Sequence, residues 1–155
     1  MTDEHPSPQL DFVLELKVSI GPSLVLGTGT AGLRRMVPIT GGSFSGVFEG
    51  RVLPGGADWQ FATSDGLTAL DAQYILEAND GTRIEVRNRG LRYGSPEIMR
   101  RLEAGEPVEP SEYYFRTAPR FYPPDGEYDW LRRSIFVGSA ERYEDMVVLR
   151  VWKVR

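Results

Sequence analysis

Apolar and polar residues alternate along much of this chain with the period of two that marks a strand with one buried face. In the run from Phe12 to Ile20 the even positions are apolar and the odd ones mostly polar, so Lys17 is expected in solvent. Phe44 to Val52 alternates again, with Gly46 and Gly50 on its aromatic face, where glycines predict bends or close backbone approach. Thr68 to Ala78 reads as a strand with Leu70, Ala72, Tyr74, Leu76 and Ala78 on one face. Asn79-Asp80-Gly81, followed by Thr82 to Val86, is the strongest hairpin signal, because Asp-Gly supplies the positive φ of a tight primed turn. Further extended runs are expected at Leu24 to Arg34, Asp58 to Ala62, Tyr113 to Thr117, from Trp130 to Val137, and at Met146 to Val154. The last has apolar residues on both faces, which points to burial on both sides and a subunit contact.

A helix is expected near residues 96–104. Ser95 stands at its N-cap, Pro96 at the first helical position and Gly105 just past the end. With 17 glycines and 11 prolines cutting the chain into short extended runs, the pattern predicts an all-β domain over residues 10–155 behind a flexible tail over residues 1–9. An up-and-down antiparallel β-barrel of about eight to ten strands, which removes exposed edges by closure, accounts for the strand spacing; a β-sandwich is the alternative.

Composition narrows the chemistry. The 155 residues include no cysteine and one histidine, His5, in the polar, proline-bearing start. Thiol nucleophiles, thiolate metal sites, histidine triads and two-histidine metal centres are thereby disfavoured. Only Lys17 and Lys153 could form a Schiff base. A net charge of −4 argues against nucleic acid as a partner. No apolar stretch approaches the ~20 residues of a spanning helix, so no membrane partner and a cytoplasmic location are expected. Gly27-Thr28-Gly29-Thr30-Ala31-Gly32 imitates a dinucleotide fingerprint, but no helical pattern follows it, and neither cofactor nor metal is expected.

Several motifs resemble, in order, those of the domain-of-unknown-function family 3237. They are Gly32 through Gly46, Gly50 through Trp59 with its Gly-Gly-Ala-Asp-Trp element, Leu70 through Tyr74, Asp80 through Ile84, Tyr114 through Pro119, and Tyr128 through Leu131. The resemblance covers the chain from about Phe12 onward. It implies a compact antiparallel β-barrel and brings with it no common activity.

Acid/base work falls to carboxylates and tyrosines. Asp58 follows the Pro54-Gly55-Gly56 turn, which predicts a barrel rim, and the adjacent Trp59 indole would raise its pKa by desolvation, as a general base requires. The alternative has Asp58 accepting turn N–H groups while Trp59 packs in the core. Tyr74 is expected in the lumen. Asp71, three residues away, falls on the opposite face and is kept as a further catalytic candidate. Arg34 and Arg116 interrupt apolar or aromatic neighbourhoods and suit the clamping of an oxyanion, unless each is an ion-pair partner or a snorkelling surface side chain. Phe44, Trp59, Tyr114 and Trp130 are candidate walls for an aromatic ligand, and equally candidates for the core. The expectation is a barrel that binds a small hydrophobic or aromatic metabolite and works as a cofactor-independent isomerase, cyclase or lyase. The alternatives are a non-catalytic carrier and an interaction protein with a filled barrel; a homo-oligomer fits any of them.

Overall fold

Antiparallel pairing carries the alternating runs around until the last strand meets the first. The computed structural model describes residues 5–155. In chain order its elements are β1 (Leu10–Ile20), β2 (Leu24–Gly29), β3 (Gly32–Gly46), β4 (Gly50–Val52), β5 (Gly56–Ala62), β6 (Leu67–Ala78), β7 (Arg83–Tyr93), α1 (Pro96–Glu103), β8 (Tyr114–Tyr122), β9 (Ile135–Arg142) and β10 (Met146–Val154). β1 pairs with β10 on one side and with β3 on the other, which closes the sheet. β4 and β5 share one stave between β3 and β6, and β2 pairs with β3 alone among the described residues. The result is a closed antiparallel barrel of eight staves. Of the expected tail, residues 1–4 lie outside the described residues. Gln9 is already fastened to Arg155 by two backbone hydrogen bonds, at 3.0 and 2.8 Å.

Bulges decide which residues face inward, because one extra residue reverses the face of everything beyond it. In β1 the register against β10 shifts between Phe12 and Leu14. Phe12, expected inside, therefore turns out against Trp152, while Val13 and Leu14 are both buried. In β3, Ser19 opposes Gly41 but Ile20 opposes Ile39, so Thr40 is the extra residue. Buried positions are odd before it (Arg35, Val37, Ile39) and even after it (Phe44). Beyond the bulge the backbones come very close: a Cβ at Gly46 would stand 2.1 Å from the Val13 carbonyl oxygen, and one at Gly50 2.1 Å from that of Glu77. This is the close approach expected of the two glycines.

The β6–β7 hairpin is present, but its turn is not of the expected primed type. Only Gly81 takes positive φ, at 90°, and its N–H donates to the Ala78 carbonyl at 2.8 Å. The α1 signals hold: Ser95 Oγ accepts the Ile98 N–H at 3.2 Å and Gly105 has φ 74°. Three expected runs are broken: Leu24 to Arg34 divides at a Thr30-Ala31 turn into β2 and the start of β3. Phe44 to Val52 is the end of β3, a turn and then β4, and Trp130 sits in a 3-10 turn, Asp129–Arg133, that precedes β9.

The two ends of the barrel differ. At the β6–β7 hairpin end, Phe44, Phe48 and Tyr128 stack in series, as do Trp130, Phe136 and Phe121, and Tyr128 Oη donates to Asp80 at 3.1 Å. At the other end, α1 inserts Met99 and Leu102. The lumen between them is where polar side chains collect.

Candidate functional site

Inward residues of β5 are Asp58 and Gln60. Asp58 lies opposite Ala72 on β6, which lies opposite Asn88 on β7, so small Ala72 leaves space between a carboxylate and a carboxamide. In the next row Gln60 and Leu70 lead through Gly90 to Thr117 and Gly138. One row nearer α1, Arg92 is paired with Phe115, over whose ring its guanidinium carbon sits 5.3 Å from the centre. Arg142 enters from the end of β9. Apart from the two glycines, these residues line one cavity of about 60 Å³, walled by Val18, Val37, Ile39, Tyr74 and Leu149 among others. Pockets that enclose a drug-sized ligand measure roughly 300–1,000 Å³, so this space admits a group of a few atoms rather than a whole large molecule.

Asp58 is held from two sides. Gln60 Nε2 donates to its Oδ2 at 2.7 Å, and the Asp71 backbone N–H donates to Oδ1 at 3.1 Å. The amide of Gln60 is oriented in turn by Arg35, whose Nε donates to Oε1 at 2.7 Å while Nη1 pairs with Glu103 on α1 at 2.8 Å. Burial pushes the Asp58 carboxyl above the usual carboxylate range, against the pull of Gln60, Arg92, the Asp71 N–H and Arg142. Burial likewise lifts the Tyr74 hydroxyl well above its ordinary range, with the Asp58 charge adding to it, so Tyr74 remains a donor. Arg92 is 1% exposed, and burial, reinforced by Arg142 and Arg35, brings its pKa down to about 9. It is therefore still charged at neutral pH.

Polar satisfaction is incomplete. Nε and Nη2 of Arg92, Nε of Arg142, Nη2 of Arg35, Oδ1 of Asn88 and Oγ1 of Thr117 are buried with no hydrogen-bond partner among the described residues. Orphaned buried polar atoms cost about 1–3 kcal/mol each, and more where charge is involved, so their concentration around one cavity needs an explanation.

Of the residues expected to form the site, the structure brings Asp58 and Tyr74 together on the cavity. Asp58 stands within β5 and not at a rim turn. Trp59 points outward, 52% exposed, and so neither walls the site nor desolvates Asp58. Asp71 is on the outer face with Arg87, at 3.2 and 3.1 Å, and Arg89. Only its backbone reaches Asp58. Arg34 lies outside over Phe61, and Arg116 outside over exposed Tyr114. Phe44 and Trp130 belong to the aromatic packing at the hairpin end. The residues missed are Arg35, Gln60, Asn88, Arg92, Thr117 and Arg142. Three of these were within reach: Asn88 and Arg92 share the parity of Ile84 and Val86, and Arg142 that of Phe136 and Ala140.

Among the described residues no helix is long and apolar enough to cross a membrane, and no group of three or more His, Cys, Asp or Glu side chains is placed to hold a metal ion. Comparison with known proteins agrees with the motif resemblance. A family model described as Protein of unknown function (DUF3237) matches residues 8–154. A UPF0311 protein of Bradyrhizobium diazoefficiens is 42% identical over 96% of this chain and 99% of its own length. The crystal structure of a conserved protein of unknown function from Rhodopseudomonas palustris superimposes with a TM-score of 0.92 at 40% identity, covering 97% of this chain and all of that one. A structure from Acinetobacter baumannii described as a beta-barrel like protein gives 0.85 at 38% identity, covering 99% and 100%. The hydroalkoxylation enzyme phnH of Penicillium herquei is 30% identical over 80 residues, 51% of this chain and 53% of phnH. An enzyme structure from the same organism shares the fold, with a TM-score of 0.75 at 21% identity over the full length of both chains.

Proposed function

The chain belongs to the DUF3237 family, and on that footing we propose that its lumen binds the reacting end of a small aromatic or hydrophobic metabolite and moves a proton on it through Asp58. The observation that carries this reading is the Asp58 carboxyl facing the cavity, its Oδ2 held by Gln60 and its Oδ1 by the Asp71 N–H. A carboxyl whose pKa is raised toward working pH can give a proton in one step and take it back in the next. Isomerisation, elimination and cyclisation each need such a group and little else.

The name of the Penicillium herquei relative favours addition of a hydroxyl across an alkene, which within one molecule is a cyclisation. In a hydroalkoxylation the substrate hydroxyl oxygen bonds to one alkene carbon and the other alkene carbon gains a proton. Protonated Asp58 delivers that proton while the hydroxyl proton returns to the carboxylate, so nothing is consumed. Tyr74, locked in its protonated form, donates to the forming ether oxygen or its precursor.

An ortho-prenylphenol tests this, with its cyclic ether product followed by chromatography. Wild-type turnover should fall about 10²–10⁴-fold in Asp58→Asn, with binding of the prenylphenol retained. Equal rates in the two proteins would end the acid/base reading. Native mass spectrometry of the purified protein identifies a natural ligand if one co-purifies.

A further inference from the structure

We infer that the ligand of the lumen carries a carboxylate, seated on the Nε/Nη2 edge of Arg92 and reached by Nε of Arg142. The inference rests on the lumen being a ligand site, and adds the chemical class of what enters it.

Elsewhere in this protein an arginine uses its Nε and Nη2 together to hold a carboxylate: Arg87 on Asp71 at 3.2 and 3.1 Å, Arg100 on Glu97 at 3.1 and 2.8 Å, Arg132 on Asp129 at 3.0 and 3.3 Å. A guanidinium edge and a carboxylate match as two parallel hydrogen bonds. Those three pairs lie at the surface, where water could serve instead. Arg92 lines the cavity, and there the same two nitrogens are buried and meet no acceptor among the described residues.

The site holds no carboxylate of its own to spare. Asp58 is bonded by Gln60 and Asp71, and Glu103 is paired with Arg35. With Arg35 and Glu103 cancelling, Arg92 and Arg142 face Asp58. Even with Asp58 ionised, one positive charge is left over in a largely buried space. Buried charge is tolerated where it is paired, so the lumen is built to receive one negative charge from a ligand. A space of about 60 Å³ fits a carboxylate with a few attached carbons.

Isothermal titration of benzoate and propionate against the neutral amides benzamide and propionamide, at pH 7, provides the test. The acids should bind at least ten times more tightly than their amides. Arg92→Met should weaken the acids roughly 10- to 100-fold, the range of a charge-assisted hydrogen bond, and should raise the melting temperature by removing an unpaired buried cation. Should that variant fail to fold, Arg92→Lys keeps the charge without the two-pronged edge and is expected to show the same loss. Equal affinity for acid and amide, no binding of either acid, or unchanged acid binding in the Arg92 variant would overturn the inference. Asp58→Asn separates it from the proton-transfer reading: the variant should bind benzoate at least as tightly as wild type, a like charge having been removed. Turnover surviving in Asp58→Asn defeats proton transfer alone, and benzoate binding surviving in Arg92→Met defeats the carboxylate site alone.

Discussion

Asp58 occupies a position where burial and hydrogen bonding oppose one another, and burial prevails. Its folded pKa lies above the unfolded value near 3.8, so between the two the native state binds more protons than the unfolded chain. Over that window ionisation of Asp58 lowers stability as pH rises; below it the effect is gone. The stability of Asp58→Asn relative to wild type should therefore improve as pH is raised through the window, as urea denaturation at a series of pH values would show. A difference independent of pH would mean that Asp58 titrates normally. Gln60 tests the same balance from the other side. Gln60→Leu removes the donor to Asp58 Oδ2 and the acceptor of Arg35 Nε, leaving two buried groups unmatched. A loss of about 2–5 kcal/mol is expected in denaturant unfolding, together with a further rise of the Asp58 pKa, observable by carboxyl carbon NMR.

At the scale of the elements, single residues decide what is legible in the sequence. Helix α1 and the β6–β7 hairpin were legible because their signals are local: Ser95, Pro96 and Gly105 in one case, Asp80-Gly81 in the other. The parity of β6 was legible too, and it sent Tyr74 in and the Asp71 side chain out. In β3 even positions face inward at Phe44, but the extra residue at Thr40 reverses the face, so Arg35 and not the expected Arg34 points inward; a bulge depends on the partner strand, which the local sequence does not name. Gly42, just beyond that bulge, tests how tightly the seam is specified. Its φ is +138° and a Cβ there would stand 2.1 Å from the Lys17 carbonyl oxygen, whereas Gly27, at φ +141°, has nothing within 4 Å. Alanine at position 27 should cost only the strained backbone, about 1–3 kcal/mol. At position 42 the β1–β3 seam must also part, and the loss should exceed that of Gly27→Ala by at least 1–2 kcal/mol in the same urea titration. Equal losses would show the seam to be yielding.

For the molecule as a whole, the wall is unevenly stitched. β6 and β7 are paired at eleven positions, from Leu67 with Tyr93 to Glu77 with Arg83, but β8 and β9 only at Arg116 with Ser139 and Thr117 with Gly138. The weak seam runs beside the site: Phe115 and Thr117 on β8, and Ala140 and Arg142 on β9, all line the cavity. Local opening is favoured where few backbone hydrogen bonds must break. A cavity of about 60 Å³ needs some such widening if it is to take a ligand larger than its own volume. Native-state hydrogen exchange should accordingly find the β8 amides directed at β9 exchanging through openings of much lower free energy than the amides shared by β6 and β7. Benzoate, bridging Arg92 on β7 and Arg142 on β9 across β8, should slow that exchange in wild type and leave it unchanged in Arg92→Met. Uniform protection around the ring would mean that ligands enter elsewhere. Protection by benzoate confined to β6 and β7 would place the carboxylate away from Arg142.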